Sequence, residues 1–275
     1  MLVTLKEILK TAEERQIAVG SFNTPNMTSI QAVLGAAKEL NQPVILMHAQ
    51  VHEEMGLCRM EEIAPVMLMF AERASVPVCV HLDHGTDLDY VKKGLRLGFT
   101  SVMYDGSTLS AEENTANTRL AVAAAAETGA SVEAEIGSMG AREGGEGAAA
   151  SIYTDPAAAV KFVADTGIDA LACAFGTAHG FYKDKPKLDF ARLSTIHSLV
   201  GVPLVMHGGS GVSEDDYREV IRRGVRKVNY YTYMAKAGGD AISNKSYSQF
   251  HDALTDAEKA MRENVKKAIA VFAGL

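Results

Sequence analysis

The sequence predicts an α/β fold in which eight parallel strands alternate with helices and close into one barrel. Short apolar runs alternate with longer helical patterns eight times along the chain, which favours a parallel sheet with helices outside it. Eight such units favour closure over an open sheet, and 275 residues suit one barrel of this kind. We therefore expect a (β/α)8 TIM barrel with a C-terminal helical extension, as a single domain over residues 1–275.

The strands are predicted where short apolar runs lie between turn residues, near 17–22, 43–47, 77–82, 101–103, 131–136, 170–175, 203–206 and 226–228. Helices are predicted between them, near 29–40, 61–75, 88–97, 111–128, 156–166, 190–200 and 214–223, and a last helix is predicted over 256–272. Asp155 and Pro156 are a typical helix start, a capping acid followed by a first-turn proline. Residues 213–216 likewise place acids at the positive end of a helix dipole.

Composition limits the possible functions. The formal net charge is −7 and no basic run occurs, so we expect no nucleic-acid partner. No apolar stretch approaches the length of about 18 residues that a membrane span needs, so we expect no membrane partner. The three cysteines, Cys58, Cys79 and Cys173, match no disulfide or zinc-ribbon spacing, which suits a reducing compartment. The N-terminus lacks the pattern of a signal peptide, so a cytoplasmic protein is predicted.

Polar residues gather at or just beyond the C-terminal ends of the predicted strands. In a barrel those ends form one mouth, where active sites are built from the βα loops. The residues concerned are Asn23, Asp83, His84, Asp105, Glu133, Glu135, His179, His207 and Asn229.

The alternation of side chains along a strand assigns these groups to faces. In the third strand Val78, Val80 and Leu82 are expected to face the helices, whereas Cys79, His81 and Asp83 are expected to face the barrel axis. Glu133 and Glu135 point into the barrel by the same reasoning. Carboxylates in that position need a metal, a partner or a proton.

Three histidines from three different loops, His84, His179 and His207, are the ligand set that catalytic zinc uses, with a fourth position open. His81 is expected one layer deeper in the barrel than these three histidines, in a structural role. His48 is a candidate substrate contact, and His52 is a weaker one because the residues after it do not form a zinc-protease motif.

Glycine-rich loops indicate a phosphate site. Residues 176–180, with Lys183 close by, and residues 207–211 offer bare amides, and residues 228–232 join the last strand to a helix. Loops after strands seven and eight are the usual phosphate cup of such barrels. The glycine-dense run 137–147 carries Arg142, Glu143 and Glu146; it is either a solvated loop or a moving segment that delivers a carboxylate to bound substrate.

Four motifs together resemble the class II, zinc-dependent ketose-bisphosphate aldolases, and the tagatose- and fructose-bisphosphate branch most closely. They are residues 81–84 (HLDH), 132–137 (VEAEIG), 176–180 (GTAHG) and 204–208 (LVMHG). The similarity runs from about residue 18 to residue 229. It implies reversible cleavage of the C3–C4 bond of a phosphorylated ketose to glycerone phosphate and an aldehyde.

The resemblance also implies roles for individual residues. His84, His179 and His207 would hold Zn²⁺, and Glu135 and Asp105 match carboxylates associated with a second or displaced metal position. Asp83 would exchange a proton with the C4 hydroxyl, and Glu143 would move the C1 proton. A monovalent cation, Na⁺ or K⁺, and a homodimer or homotetramer are also implied. The substrate- and phosphate-binding residues would be Asn23, Gly180, Lys183, Gly208, Ser210, Asn229 and Thr232.

The chain departs from the family pattern at several points. Tyr230 and Tyr231 stand where small residues are common, as does His48. The C-terminal region lacks the Asp-Pro-Arg segment whose arginine helps bind a distal phosphate, and Lys245 or Arg59 are candidates to replace it. A ketose 1-phosphate is therefore an open alternative to a bisphosphate. Two other readings stay open: a metal-dependent hydrolase on the same fold, and a non-catalytic companion subunit that binds metal or sugar phosphate.

Overall fold

A computed structural model describes residues 1–137, 153–182 and 185–275 of the chain. Its strands are β1 Leu2–Val3, β2 Val19–Asn23, β3 Val44–Ala49, β4 Val78–Gly85, β5 Ser101–Tyr104, β6 Ser131–Ile136, β7 Ala170–Cys173, β8 Leu204–Met206 and β9 Val225–Asn229. Its helices are α1 Leu5–Arg15, α2 Met27–Leu40, α3 Gln50–Glu54, α4 Met60–Arg73, α5 Leu88–Arg96, α6 Ala111–Thr128, α7 Pro156–Thr166, α8 Phe190–Leu199, α9 Glu214–Arg222, α10 Thr232–Ser243 and α11 Phe250–Phe272.

Strands β2 to β9 pair in parallel, each with the next, and form a closed barrel. The ring closes where β2 pairs with β9, with Ser21 opposite Asn229. The short β1 adds to the first residues of β4, with Leu2 opposite Val78. The predicted eight-stranded barrel and its C-terminal helix are confirmed.

Alternation along the strands divides the apolar residues into two cores. Val78, Val80 and Leu82 belong to the large core between sheet and helices. Cys79 belongs to a smaller core inside the barrel, so the predicted faces of β4 are correct. Helix α1, which begins with a capping box of Thr4 and Glu7, packs its apolar face on this inner core.

Three helices and one strand were not predicted. Helix α3 has five residues and β1 has two, which is too short for a periodicity to be recognised. Helix α10 contains Gly238 and Gly239, which lower helix propensity, but a Cβ at Gly238 would come within 3.0 Å of Met261 in α11. The glycine therefore permits close packing of the two helices. Helix α1 was missed as well, and α11 begins six residues earlier than the predicted residue 256.

The described ranges contain no helix with the length and apolarity needed to cross a membrane.

Candidate active site

Most of the predicted site residues line one cavity at the carboxyl ends of the strands. The loops after β2, β3, β4, β7, β8 and β9 all contribute to its wall. The predicted residues in that wall are Asn23, Asp83, His84, His179, Gly180, Gly208, Ser210, Asn229 and Thr232.

Three imidazoles meet at the floor of this cavity. His84 Nε2 lies 3.3 Å from His179 Nε2 and 2.9 Å from His207 Nδ1. Nitrogens bound tetrahedrally to one zinc ion at about 2.0–2.1 Å are separated by roughly 3.3–3.4 Å. The His84 nitrogen therefore lies at nearly ligand spacing from the other two, and all three histidines offer ligand atoms within 4.8 Å of one another.

Carboxylates fix which nitrogen of two rings faces the others. His84 Nδ1 lies 2.8 Å from Asp105 Oδ2, and His207 Nε2 lies 2.7 Å from Glu133 Oε1. A ring N–H that donates to a carboxylate leaves the opposite nitrogen unprotonated. Asn229 also directs its side-chain amide at His207 Nδ1, at 3.2 Å. The lone pairs of His84 and His207 are thus directed to the point where the rings meet.

The backbone of His84 explains how two consecutive residues both reach the cavity. In a regular strand Asp83 and His84 would point to opposite faces. His84 has a φ of 49°, and the β4–β5 register shifts between Leu82 and Gly85. A positive φ is uncommon for a residue with a Cβ and typical of functional sites. It breaks the alternation here.

Asp83 is buried and held by two amides. Asn23 Nδ2 donates to its Oδ2 at 3.2 Å, and Asn229 Nδ2 donates to its Oδ1 at 3.0 Å. Burial alone would raise the pKa of Asp83, but the positive charges of His84 and Lys227 and the hydrogen bond from Asn23 lower it to about 2. The carboxylate is therefore ionised at neutral pH.

The pKa values of His84 and His207 are shifted in opposite directions. Burial would lower the pKa of His84, but Asp83 and the hydrogen bond to Asp105 raise it to about 9. Burial, followed by the charge of His84, lowers the pKa of His207 well below its usual value. Of these two rings, His84 is the one that holds a proton when no metal is bound. A cation at the meeting point would replace that proton as the positive charge.

A fully buried ion pair lies below the three imidazoles. Glu133 Oε2 is 2.8 Å from Lys227 Nζ, while its other oxygen binds His207. His81 binds Ser101 at 2.8 Å and lies 3.7 Å from the same carboxylate. Glu133 was expected at the mouth. It occupies the deeper layer instead, because it lies in the middle of β6.

Asp105 and Glu135 lie beside the cavity. Asp105 Oδ1 accepts bonds from the backbone and hydroxyl of Ser107 at 3.1 and 2.6 Å, and its Oδ2 binds His84. Oxygens of Asp105 and Glu135 also lie within 4.8 Å of each other and of a His84 nitrogen, which forms a second group able to hold a cation.

The opposite side of the cavity is built from the loops after β7, β8 and β9. A Cβ at Gly208 would approach Ala178 O to 2.3 Å, so only glycine fits there. Tyr182, which sequence reasoning missed, joins two of the loops, since its hydroxyl donates to Gly208 O at 2.8 Å and accepts from Ala178 N at 2.9 Å. Ser210 Oγ accepts from Tyr231 N at 3.1 Å, next to the start of α10 at Thr232.

The structure separates the two histidines of the β3 region. His48 is buried, with its ring 2.9 Å from the Tyr90 hydroxyl and 3.7 Å from Cys58 Sγ, outside the cavity wall. His52 does line the cavity and packs on Tyr231 with ring centroids 4.7 Å apart. Substrate contact by His48 stays a prediction, and the geometry favours His52. Glu143 and Lys183 lie outside the described residues.

Comparison with known proteins decides the family. The model of the family described as class II fructose-bisphosphate aldolase matches residues 3–274. The chain belongs to this family. It is 40% identical to a fructose-bisphosphate aldolase of Staphylococcus aureus over 98% of this chain and 97% of the relative. A Staphylococcus epidermidis aldolase of the same name is 38% identical, with the same shares covered.

Solved structures of class II aldolases agree. The YdjI aldolase from Escherichia coli K12 has a TM-score of 0.90 and 32% identity, with 99% of this chain and 97% of that chain covered. As a member of the class II aldolase family the chain is an enzyme, a lyase that acts on phosphorylated sugars. Metal dependence is general in this family, and the group of His84, His179 and His207 provides ligands for a metal.

Proposed function

We propose that the enzyme is a zinc-dependent aldolase that reversibly cleaves the C3–C4 bond of a phosphorylated ketose to glycerone phosphate and an aldehyde. The substrate is a ketose 1-phosphate or a bisphosphate of the fructose or tagatose type. The convergence of three imidazole nitrogens beside an ionised, buried Asp83 is the observation that carries the proposal.

His84, His179 and His207 are the proposed zinc ligands. Their spacing suits a tetrahedral ion, and carboxylates direct the lone pairs of two of the rings. Bound zinc supplies a Lewis acid that stabilises negative charge on the glycerone phosphate portion. Asp105 and Glu135 are proposed for a second or displaced metal position.

Asp83 is proposed as the group that takes the C4 hydroxyl proton in cleavage and returns it in condensation. It lines the cavity and is within hydrogen-bond reach of two amides, which keep its two oxygens in position. Glu143 is proposed to move the C1 proton.

The loops after β7, β8 and β9 are proposed to bind the C1 phosphate. Glycine backbone amides and a helix N-terminus are typical anion donors, and Ser210 Oγ lies beside them. The proposed phosphate-binding residues are Gly180, Lys183, Gly208, Ser210, Asn229 and Thr232, and Asn23 is proposed to bind substrate.

An assay of the zinc-loaded enzyme against ketose 1-phosphates and 1,6-bisphosphates, with release of glycerone phosphate as readout, tests this function. Asp83→Asn should retain zinc and lose about 10²–10⁴-fold in turnover, since general acid–base catalysis contributes about that much. Asp89→Asn, an exposed carboxylate on the nearby helix α5, is the control. Unchanged turnover in Asp83→Asn would remove Asp83 from the mechanism.

Two further proposals follow from the resemblance: a homodimer or homotetramer, and Na⁺ or K⁺ near the phosphate. A location in the cytoplasm is proposed from the cysteine content and the N-terminal sequence. The non-catalytic companion is not favoured, because a subunit that only binds its ligand needs no proton carrier such as Asp83. The hydrolase is not favoured, because the first barrel strand, β2, contains no His-x-His pair.

A further inference from the structure

One wall of the cavity carries a carboxylate and neutral hydrogen-bonding groups. Gln50, Glu54 and Thr86, which we call the acidic wall, come from helix α3 and the turn after β4. Gln50 Nε2 donates to Glu54 Oε1 at 2.9 Å, and the backbone N–H of Thr86 donates to Gln50 Oε1 at 2.9 Å. The three side chains thus form one connected hydrogen-bonding surface.

The acidic wall lies across the mouth from the loops after β7 and β8, whereas the loop after β9 is closer to it, since His52 of α3 packs on Tyr231. Its residues follow β3 and β4, and strands four places apart in the ring, β3 and β7 or β4 and β8, are opposite one another. His84 at the end of β4 and His179 after β7 line the cavity from these two sides. A substrate whose C1 phosphate lies at the loops after β7 and β8 and whose C3–C4 bond lies at the metal therefore extends its far end towards Gln50, Glu54 and Thr86.

The two sides differ in their capacity to bind phosphate. Phosphate is recognised by arginine, lysine or clustered N–H donors. Among the described residues that line the cavity there is no lysine or arginine. The far side adds a carboxylate, Glu54, which repels a second phosphate.

Cations that could have served the far end are engaged elsewhere. Lys245 Nζ lies 2.7 Å from Asp256, and Arg59 lies 3.7 Å from Glu61. Lys93, the nearest lysine on α5, is 2.6 Å from Glu61 and 3.8 Å from Glu53. None of the three lines the cavity.

We propose that Glu54 is a specificity-determining residue, and that the acidic wall selects ketose 1-phosphates with an uncharged, hydroxylated far end against ketose 1,6-bisphosphates. Gln50, Glu54 and Thr86 offer hydrogen-bond donors and acceptors that suit sugar hydroxyls. The inference rests on the proposed function, since it takes the C1 phosphate and the metal as fixed points.

The test is kcat/KM for cleavage of fructose 1-phosphate and fructose 1,6-bisphosphate, with tagatose 1-phosphate and its 1,6-bisphosphate measured in parallel. In the native enzyme, the ratio of kcat/KM for a 1-phosphate to kcat/KM for the matching bisphosphate should be at least about ten. Added salt should reduce this ratio because exposed charges are screened. Glu54→Gln should narrow the ratio of kcat/KM values several-fold and Glu54→Lys should narrow it further, because each variant should raise kcat/KM for the bisphosphates relative to the 1-phosphates.

Glu127→Gln is the matched control, because Glu127 is exposed near the C-terminal end of α6, away from the cavity. The ratio of kcat/KM values in this variant should equal that of the native enzyme. A native preference for the bisphosphates, or a ratio that both Glu54 variants leave unchanged, would overturn the inference while the aldolase function stands. Absence of glycerone phosphate from every substrate would overturn the proposed function, and the inference with it.

Discussion

Glu133 shows how one buried residue connects the metal ligands to the barrel interior. Its two oxygens bind His207 and Lys227, and all three side chains are fully buried. Breaking a buried ion pair by removing one charge is costly, whereas replacing both partners with neutral groups can be tolerated. The carboxylate therefore combines two roles, neutralising Lys227 and fixing the tautomer of His207.

Substitution of the Glu133–Lys227 pair should separate these roles. Glu133→Gln leaves Lys227 unpaired and should lower the free energy of unfolding by about 3–5 kcal/mol. Glu133→Gln combined with Lys227→Met restores neutrality and should recover much of that loss. The double variant should still bind zinc about 10–100-fold more weakly, as for other partners of metal-bound histidines. Chelator competition measures the affinity; native affinity in the double variant would exclude the tautomer role.

At the scale of elements, helix α11 closes the outer layer beside β2. The Phe272 ring packs on Tyr217 with centroids 4.9 Å apart, and its carbonyl accepts from Ala18 N at 3.0 Å. A Cβ on Gly20 would lie 2.6 Å from the Phe22 ring and 3.3 Å from the Phe272 ring, so the glycine leaves room for both rings. The C-terminal helix is thus part of the barrel's core.

Phe272→Ala should therefore lower the free energy of unfolding by about 3–5 kcal/mol, the usual cost of removing a buried aromatic ring. Phe250, at the first residue of the same helix, is 78% exposed, and Phe250→Ala should change stability by no more than about 0.5 kcal/mol. Denaturant titration compares the two variants. Equal losses would contradict the view that Phe272 is anchored in the core and Phe250 is not.

At the scale of the whole molecule, buried neutral imidazoles make global stability sensitive to acid. Burial, only partly opposed by the charge of Glu53, lowers the pKa of His48 from 6.5 to about 4. Below pH 6.5 the unfolded chain binds a proton that the folded chain does not. The free energy of unfolding should therefore fall by up to about 3 kcal/mol between about pH 6.5 and pH 4, and this contribution should be constant above pH 6.5.

The comparison of native protein with His48→Gln isolates that contribution. Denaturant titrations of the metal-free proteins at pH 7 and pH 4.5 should show a smaller acid loss in the variant. His251→Gln, whose side chain is 74% exposed, should retain the native dependence. An acid loss of native size in His48→Gln would show that His48 is not responsible.

Much of this architecture could be predicted because it depends on local pattern. The period-two alternation in β4 fixed the faces of Val78 and Cys79, and the polar ends of the strands indicated the mouth. The network beneath it could not be predicted, because the partners are far apart in sequence: Glu133 meets Lys227 from β9, and Tyr182 joins loops separated by 26 residues. The position of His52, and not His48, in the cavity wall could not be foreseen either, since α3 is too short to be recognised from periodicity.

The position of helix α1 determines the route by which substrate enters and products leave the enzyme. Leu5, Ile8 and Leu9 press against apolar side chains that fill the lower half of the barrel, so in the described part of the chain the interior has a solid floor. The substrate and both cleavage products must therefore enter and leave through the open end of the barrel on the opposite side. A product that dissociates slowly therefore blocks binding of the next substrate molecule. The sequences of the loops around the opening can change without weakening the packed end of the barrel.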